Sequence, residues 1–185
     1  MAFIRIALAV LLSFQAQAAP RKVGFRVEHF KADARQSVPL KPEEAKSFAA
    51  ELKGLAAVED ATCAESSATV TLRPGATLKL SDLRSAGKKT LSYDGGKPVI
   101  VYNTLKLEGR VTLTLQVAKN PDRVKDALKE AGFKDVTESG SDWGGTVGTP
   151  VDVVTVVKKV AAKAGVDYRI FEILKDVAWH APPAE

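Results

Sequence analysis

Apolar and polar side chains alternate over residues 22–30, with Val23, Phe25, Val27 and His29 on one face and Lys22, Gly24, Arg26 and Glu28 on the other. A period of two predicts a half-buried strand. At Lys41-Pro42-Glu43-Glu44 the pattern becomes helical: proline suits the first helical position and acids in the first turn complement its exposed N–H groups. Ala45, Phe48, Ala49 and Leu52 form the apolar stripe, and Gly54 is the expected stop. Strands are predicted over 57–63 and 68–72, then a turn at Pro74-Gly75, a short helix over 80–86 ending at Gly87, and a strand over 90–93. This half reads β-α-β-β-α-β.

Asp94-Gly95-Gly96 is a turn signal, with an added hairpin strand expected at 99–102. The β pattern continues over 105–107, a Glu108-Gly109 turn, and 111–117. A second helix repeats the first recipe: Asn120 as cap, Pro121 at the first position, Asp122 in the first turn, and Val124, Ala127, Leu128 and Ala131 facing inward before Gly132. A strand over 133–137 is followed by a glycine-rich stretch, 139–150, that reads as a flexible hairpin loop around Trp143. A strand over 151–154, a helix over 153–164 ending at Gly165, and a last strand over 168–174 complete a second β-α-β-β-α-β order.

The two halves share local sequence. Val38-Pro39-Leu40-Lys41-Pro42-Glu43 and Val117-Ala118-Lys119-Asn120-Pro121-Asp122 fit V-x-x-[K/N]-P-[E/D], and Gly54-Leu55-Ala56-Ala57-Val58 and Gly132-Phe133-Lys134-Asp135-Val136 fit G-[L/F]-x-x-V. The two anchors stay in step to within one residue, which points to an internal duplication.

Ahead of this pattern, residues 1–18 have a short n-region ending in Arg5, an apolar stretch over 6–14, and Ala16-Gln17-Ala18 as an A-x-A site. That predicts a secretory signal peptide. A membrane span needs roughly 20 apolar residues, and Gln15 and Gln17 interrupt this stretch earlier. The expected product is soluble, periplasmic or secreted. Composition narrows its chemistry: a single cysteine excludes disulfide scaffolds, thiolate zinc sites and iron–sulfur clusters. The net charge of +5 is dispersed and aromatics make up 6% of the chain, so nucleic acid is not an expected partner.

The repeated order, with G-[L/F]-x-x-V leaving the first helix and Ala164-Gly165-Val166 leaving the last one, resembles the heavy-metal-associated domain. The resemblance implies an α+β fold of two tandem ferredoxin-like units, 22–103 and 104–176, with antiparallel sheets and helices on one face, and a tail at 177–185. That family holds soft metal ions with C-x-x-C at the start of its first helix. Here those positions carry Val38 and Lys41 in one unit and Val117 and Asn120 in the other, so the resemblance implies a scaffold that has lost its thiolates.

Other soft or borderline ligands are Cys63, His29 and His180. His29 reads as a core or rim residue on the inward face of its strand, His180 as exposed in the tail, and Cys63 as a small, partly buried side chain. A metal site drawn from the three is the alternative reading. The adjacent acids Glu43-Glu44 and Glu59-Asp60 diverge in direction and cannot form an acid/base couple. No catalytic motif occurs, and no cofactor is expected. Trp143 either contacts a partner from an exposed loop or folds back over the sheet. The function expected is a non-catalytic binding or interaction protein with a protein or small-molecule partner.

Overall fold

Pro42 and Pro121 each open a helix at its first position, and the residue before each, Lys41 or Asn120, is the N-cap. The two halves are built outward from these starts. The computed structural model describes residues 22–31, 36–91, 96–117 and 120–184; the leader expected at 1–18 and the turn residues Asp94 and Gly95 lie outside them. The first half runs β1 (Lys22–Lys31), β2 (Gln36–Val38), α1 (Pro42–Lys53), β3 (Val58–Ala64), β4 (Ser67–Leu72), β5 (Thr77–Lys79), α2 (Leu80–Lys89) and β6 (Lys97–Val101). The second runs β7 (Lys106–Leu115), α3 (Pro121–Glu130), β8 (Phe133–Ser139), β9 (Asp142–Asp152), α4 (Val153–Ala164), α5 (Ile170–Ile173) and β10 (Leu174–His180).

The fold is α+β with two antiparallel sheets. In one, the order is β3-β4-β1-β6, with β2 also paired to β1; in the other it is β8-β9-β7-β10-β5. The first long strand of each half is thus central. Val23, Phe25, Val27 and His29 of β1 are buried as their alternation predicts, and Phe48 and Leu52 of α1 cover the same core. Glu44 and Asp82, three residues into α1 and α2, accept hydrogen bonds from the N-cap N–H groups of Lys41 and Lys79 at 3.0 Å each. In α3 the cap differs from expectation: Asn120 has φ 57° and makes no side-chain cap. No helix among the described residues is long and apolar enough to cross a membrane.

Several expected boundaries move, each for a local reason. Gly87 does not end α2, which continues to Lys89; a Cβ there would stand 3.0 Å from the Pro98 carbonyl oxygen of β6, so glycine permits a close approach. The expected break at Glu108-Gly109 is a bulge inside β7, where pairing slips between Leu107 and Gly109 and Gly109 has φ 70°. Of the glycine-rich segment expected as a hairpin loop, only Gly140-Ser141 is the turn: 142–152 is a strand paired with β7 and β8. Its glycines make room for neighbours, since a Cβ on Gly144 would lie 2.8 Å from Thr137 Oγ1 and one on Gly145 would lie 3.0 Å from Lys134 O. Residues 168–173 form no strand either, 170–173 being a single helical turn, and β10 carries the chain through Trp179, so 177–180 are strand rather than tail.

The halves interlock. β5 leaves the first half to pair with β10, placing Leu78 opposite Trp179. Ser81 donates from its N–H and Oγ to the Asp176 carboxylate at 3.0 and 2.7 Å. Within the second half, Trp179 Nε1 donates to Lys106 O at 3.0 Å and fixes the β10 side of this joint. Buried apolar side chains from both halves form one continuous cluster.

Candidate binding cleft

The sequence-predicted site residues fall in separate places. Trp143 lies on β9 opposite Leu113 and Glu138 and is only 4% exposed, which corrects its reading as a partner contact: the strand buries the indole in the second core. His180 is held between two hydroxyls, Thr77 Oγ1 on Nδ1 and Thr112 Oγ1 on Nε2, both at 2.9 Å. Burial and the Arg110 charge lower its pKa; the ring is a bridge within the second sheet, and no nitrogen is left for a metal. Cys63 sits on the edge strand β3 opposite Ala68, in the other sheet.

Burial pushes the Cys63 thiol up to about 11, and it is the thiolate that reacts. Alkylation by iodoacetamide at mildly alkaline pH is expected to be about tenfold slower or more on the native chain than on the urea-unfolded chain. Equal rates would show an unshielded thiol.

His29 is 1% exposed beneath the start of α1, with Nδ1 2.8 Å from Glu44 Oε1. Among the described residues neither atom has a further partner, and His29 Nε2 has none. Gly96 closes over the ring: a Cβ there would overlap Nε2 and stand 2.6 Å from Phe30 O. This is a sealed pair pinning helix to strand. No group of three or more His, Cys, Asp or Glu among the described residues converges to hold a metal. Lys41 and Asn120, where the resemblance would place metal ligands, are N-caps.

The concavity that does combine shape with chemistry lies between the halves. Leu80, Leu83 and Ala86 bury one face of α2, which leaves Arg84 at the side. Along β6, Pro98 and Ile100 turn inward while Lys97 and Val99 turn out. Among the described residues β6 pairs with β1 alone, so its proline sits on an edge where no ladder donor is missed. The chain then turns at Tyr102, whose ring meets that of Phe171 from the second half edge to face, centroids 5.0 Å apart at 74°. Arg84 and Lys88 of α2, Lys97, Pro98 and Ile100 of β6, and Leu174 and Lys175 of β10 join these rings around a cavity of about 380 Å³. That volume is in the range of small-ligand sites.

Four cations line the cavity and, among the described residues, no acid does. The Arg84 guanidinium stands 5.2 Å from the centre of the Tyr102 ring, a cation–π distance. Burial lowers its pKa, partly offset by the charge of Asp176. Asp176 is already occupied by Ser81 N, Ser81 Oγ and Val177 N. Phe171 is 68% exposed on a single helical turn, and Val99 and Tyr168 are exposed beside it. An adjoining hollow of about 430 Å³ shares Val99, Ile100, Tyr102 and Phe171 and extends to Tyr168 and Ile170.

Sequence reasoning missed this site because its walls come from 84–88, 97–102 and 171–175, each of which reads alone as surface or strand. No local signal marked Phe171: in the strand expected over 168–174 it would share a face with Ile173, which is buried, and only the helical turn at Ile170–Ile173 turns it outward. No family model matches this chain, and neither a curated protein nor a solved structure is significantly similar to it.

Proposed function

We propose that this chain is a non-catalytic binding protein of the cell envelope, exported after loss of residues 1–18, and that the cleft between its halves is its binding site. The observation that carries the reading is the Tyr102–Phe171 ring pair, contributed half by each side and left open to solvent at Phe171. Large exposed apolar surface with a polar rim marks contact with a ligand or partner.

The scaffold is proposed to be two tandem ferredoxin-like units of the heavy-metal-associated kind. Support comes from the central first strand in both sheets and from the matched Lys41-Pro42 and Asn120-Pro121 helix starts. With Val38, Lys41, Val117 and Asn120 in place of thiols, binding would have moved from the helix starts to the junction of the units.

A neutral apolar dye tests the site without regard to charge. N-phenyl-1-naphthylamine is expected to gain fluorescence on mixing and to saturate at one per chain. In Phe171→Ser its affinity is expected to fall about fivefold or more, for loss of most of a buried aromatic contact. Absence of saturable binding, or binding indifferent to Phe171→Ser and Tyr102→Ala together, would overturn the assignment.

A further inference from the structure

We infer that the occupant of this cleft is a single-chain amphiphile with an anionic head, of the long-chain carboxylate kind; the inference rests on the cleft being a binding site. Three independent features converge on that chemistry. The first is charge: Arg84, Lys88, Lys97 and Lys175 surround the cavity with no described acid among its lining residues. Such a field rejects cations and gathers anions.

The second is the state of Arg84. Its guanidinium stands 5.2 Å from the centre of the Tyr102 ring, yet it donates no hydrogen bond to any described residue. Asp176, the acid whose field reaches it, has three other donors. A partly buried guanidinium without an acceptor presents its planar fork to a ligand, and carboxylate is the shape that fork matches. Lys175 is less free, since its Nζ donates to Phe171 O at 3.3 Å; that contact holds the exposed turn against the site.

The third is the apolar path. From Arg84 the floor runs over Ile100 and Tyr102 to Phe171 and onward into the adjoining hollow at Tyr168 and Ile170. Beyond the four cations, the second hollow adds only Glu28 among charged residues. A head at Arg84 with a flexible hydrocarbon chain along this floor covers both hollows and shields Phe171. A compact inorganic anion would leave the floor wet. A flat bilayer would meet the rim and leave the concavity empty.

Displacement of the naphthylamine dye separates these cases. Dodecanoate below its micelle threshold is expected to displace the dye, and dodecanol to require about tenfold more, the scale of one charge-assisted hydrogen bond. In Arg84→Gln the ratio of the two affinities is expected to collapse toward one. Because the ratio is read within a single protein, a general loss of fold does not imitate it. In the native chain, raising salt should weaken dodecanoate and leave dodecanol unchanged. Equal affinities for dodecanoate and dodecanol, or a ratio untouched by both Arg84→Gln and salt, would overturn the anionic head. Recruitment to phosphatidylglycerol vesicles with no displacement by monomeric dodecanoate would replace it with a membrane surface. Dye binding without dodecanoate binding refutes only the amphiphile; failure of the dye itself removes the site.

Discussion

Trp143→Ala is expected to destabilise the chain by about 3–5 kcal/mol, the usual cost of emptying a buried aromatic site. The indole sits on a strand flanked on both sides by paired strands, β7 through Leu113 and β8 through Glu138, and only 4% of its surface meets solvent. The surrounding β9 backbone cannot collapse into the space, since Gly144 and Gly145 already bring it against Thr137, Phe133 and Lys134. Calorimetry should therefore show a melting temperature lower by on the order of 10 °C for a chain of this size. A variant that melts within a degree or two of the parent would mean that the indole is not buried in solution.

The second large effect concerns the pair under α1. Glu44→Leu or His29→Leu alone is expected to cost about 3–5 kcal/mol, because each leaves a polar partner sealed from water without its contact. Glu44→Leu also removes the carboxylate that accepts the Lys41 N–H at 3.0 Å, so it should be the worse of the two. The double variant is expected to recover most of the loss, since apolar residues of similar volume can replace a buried pair at little cost. Denaturant titration of the four proteins gives the coupling. Strict additivity of the single losses would show that the 2.8 Å contact between His29 and Glu44 is not an energetic pair.

What the sequence reveals of this fold depends on how local the determinant is. α4 is found over Val153–Ala164, the range its 3.6-residue pattern predicts, and the starts of α1 and α3 follow from one proline each. The inward face of β1, including His29, is legible from strict alternation. Failures occur where pairing overrides pattern. β9 is masked by glycines whose job is to admit side chains from the next strand, a requirement visible only once that strand is in place. β10 is masked by a register slip between Leu174 and Asp176, which breaks the phase linking Leu174 to Val177 and Trp179. The second repeat anchor is also looser than its letters: β3 begins at Val58, four residues after Gly54, whereas β8 begins at Phe133, one after Gly132.

The candidate site is less legible still, because it is a property of a junction. Arg84 is one more charge on an amphipathic helix until the chain brings Tyr102 beneath it, and Phe171 is one more strand residue until Ile170–Ile173 coils. The individual candidates His29, Cys63, His180 and Trp143 are each explained by a local role in burial or hydrogen bonding.

The crossing of β5 into the second sheet bears on how this molecule could have arisen and how it must assemble. If one ancestral unit was doubled, the first copy has since given an edge strand to the second, whose sheet is completed by β5. Thr77 meets His180 across 103 positions of chain, so the second sheet is complete only when the two ends of the fold are brought together. Loop closure on this scale slows folding. A ligand that touches both walls of the cleft ties the halves together from a second place and so stabilises the native chain by mass action.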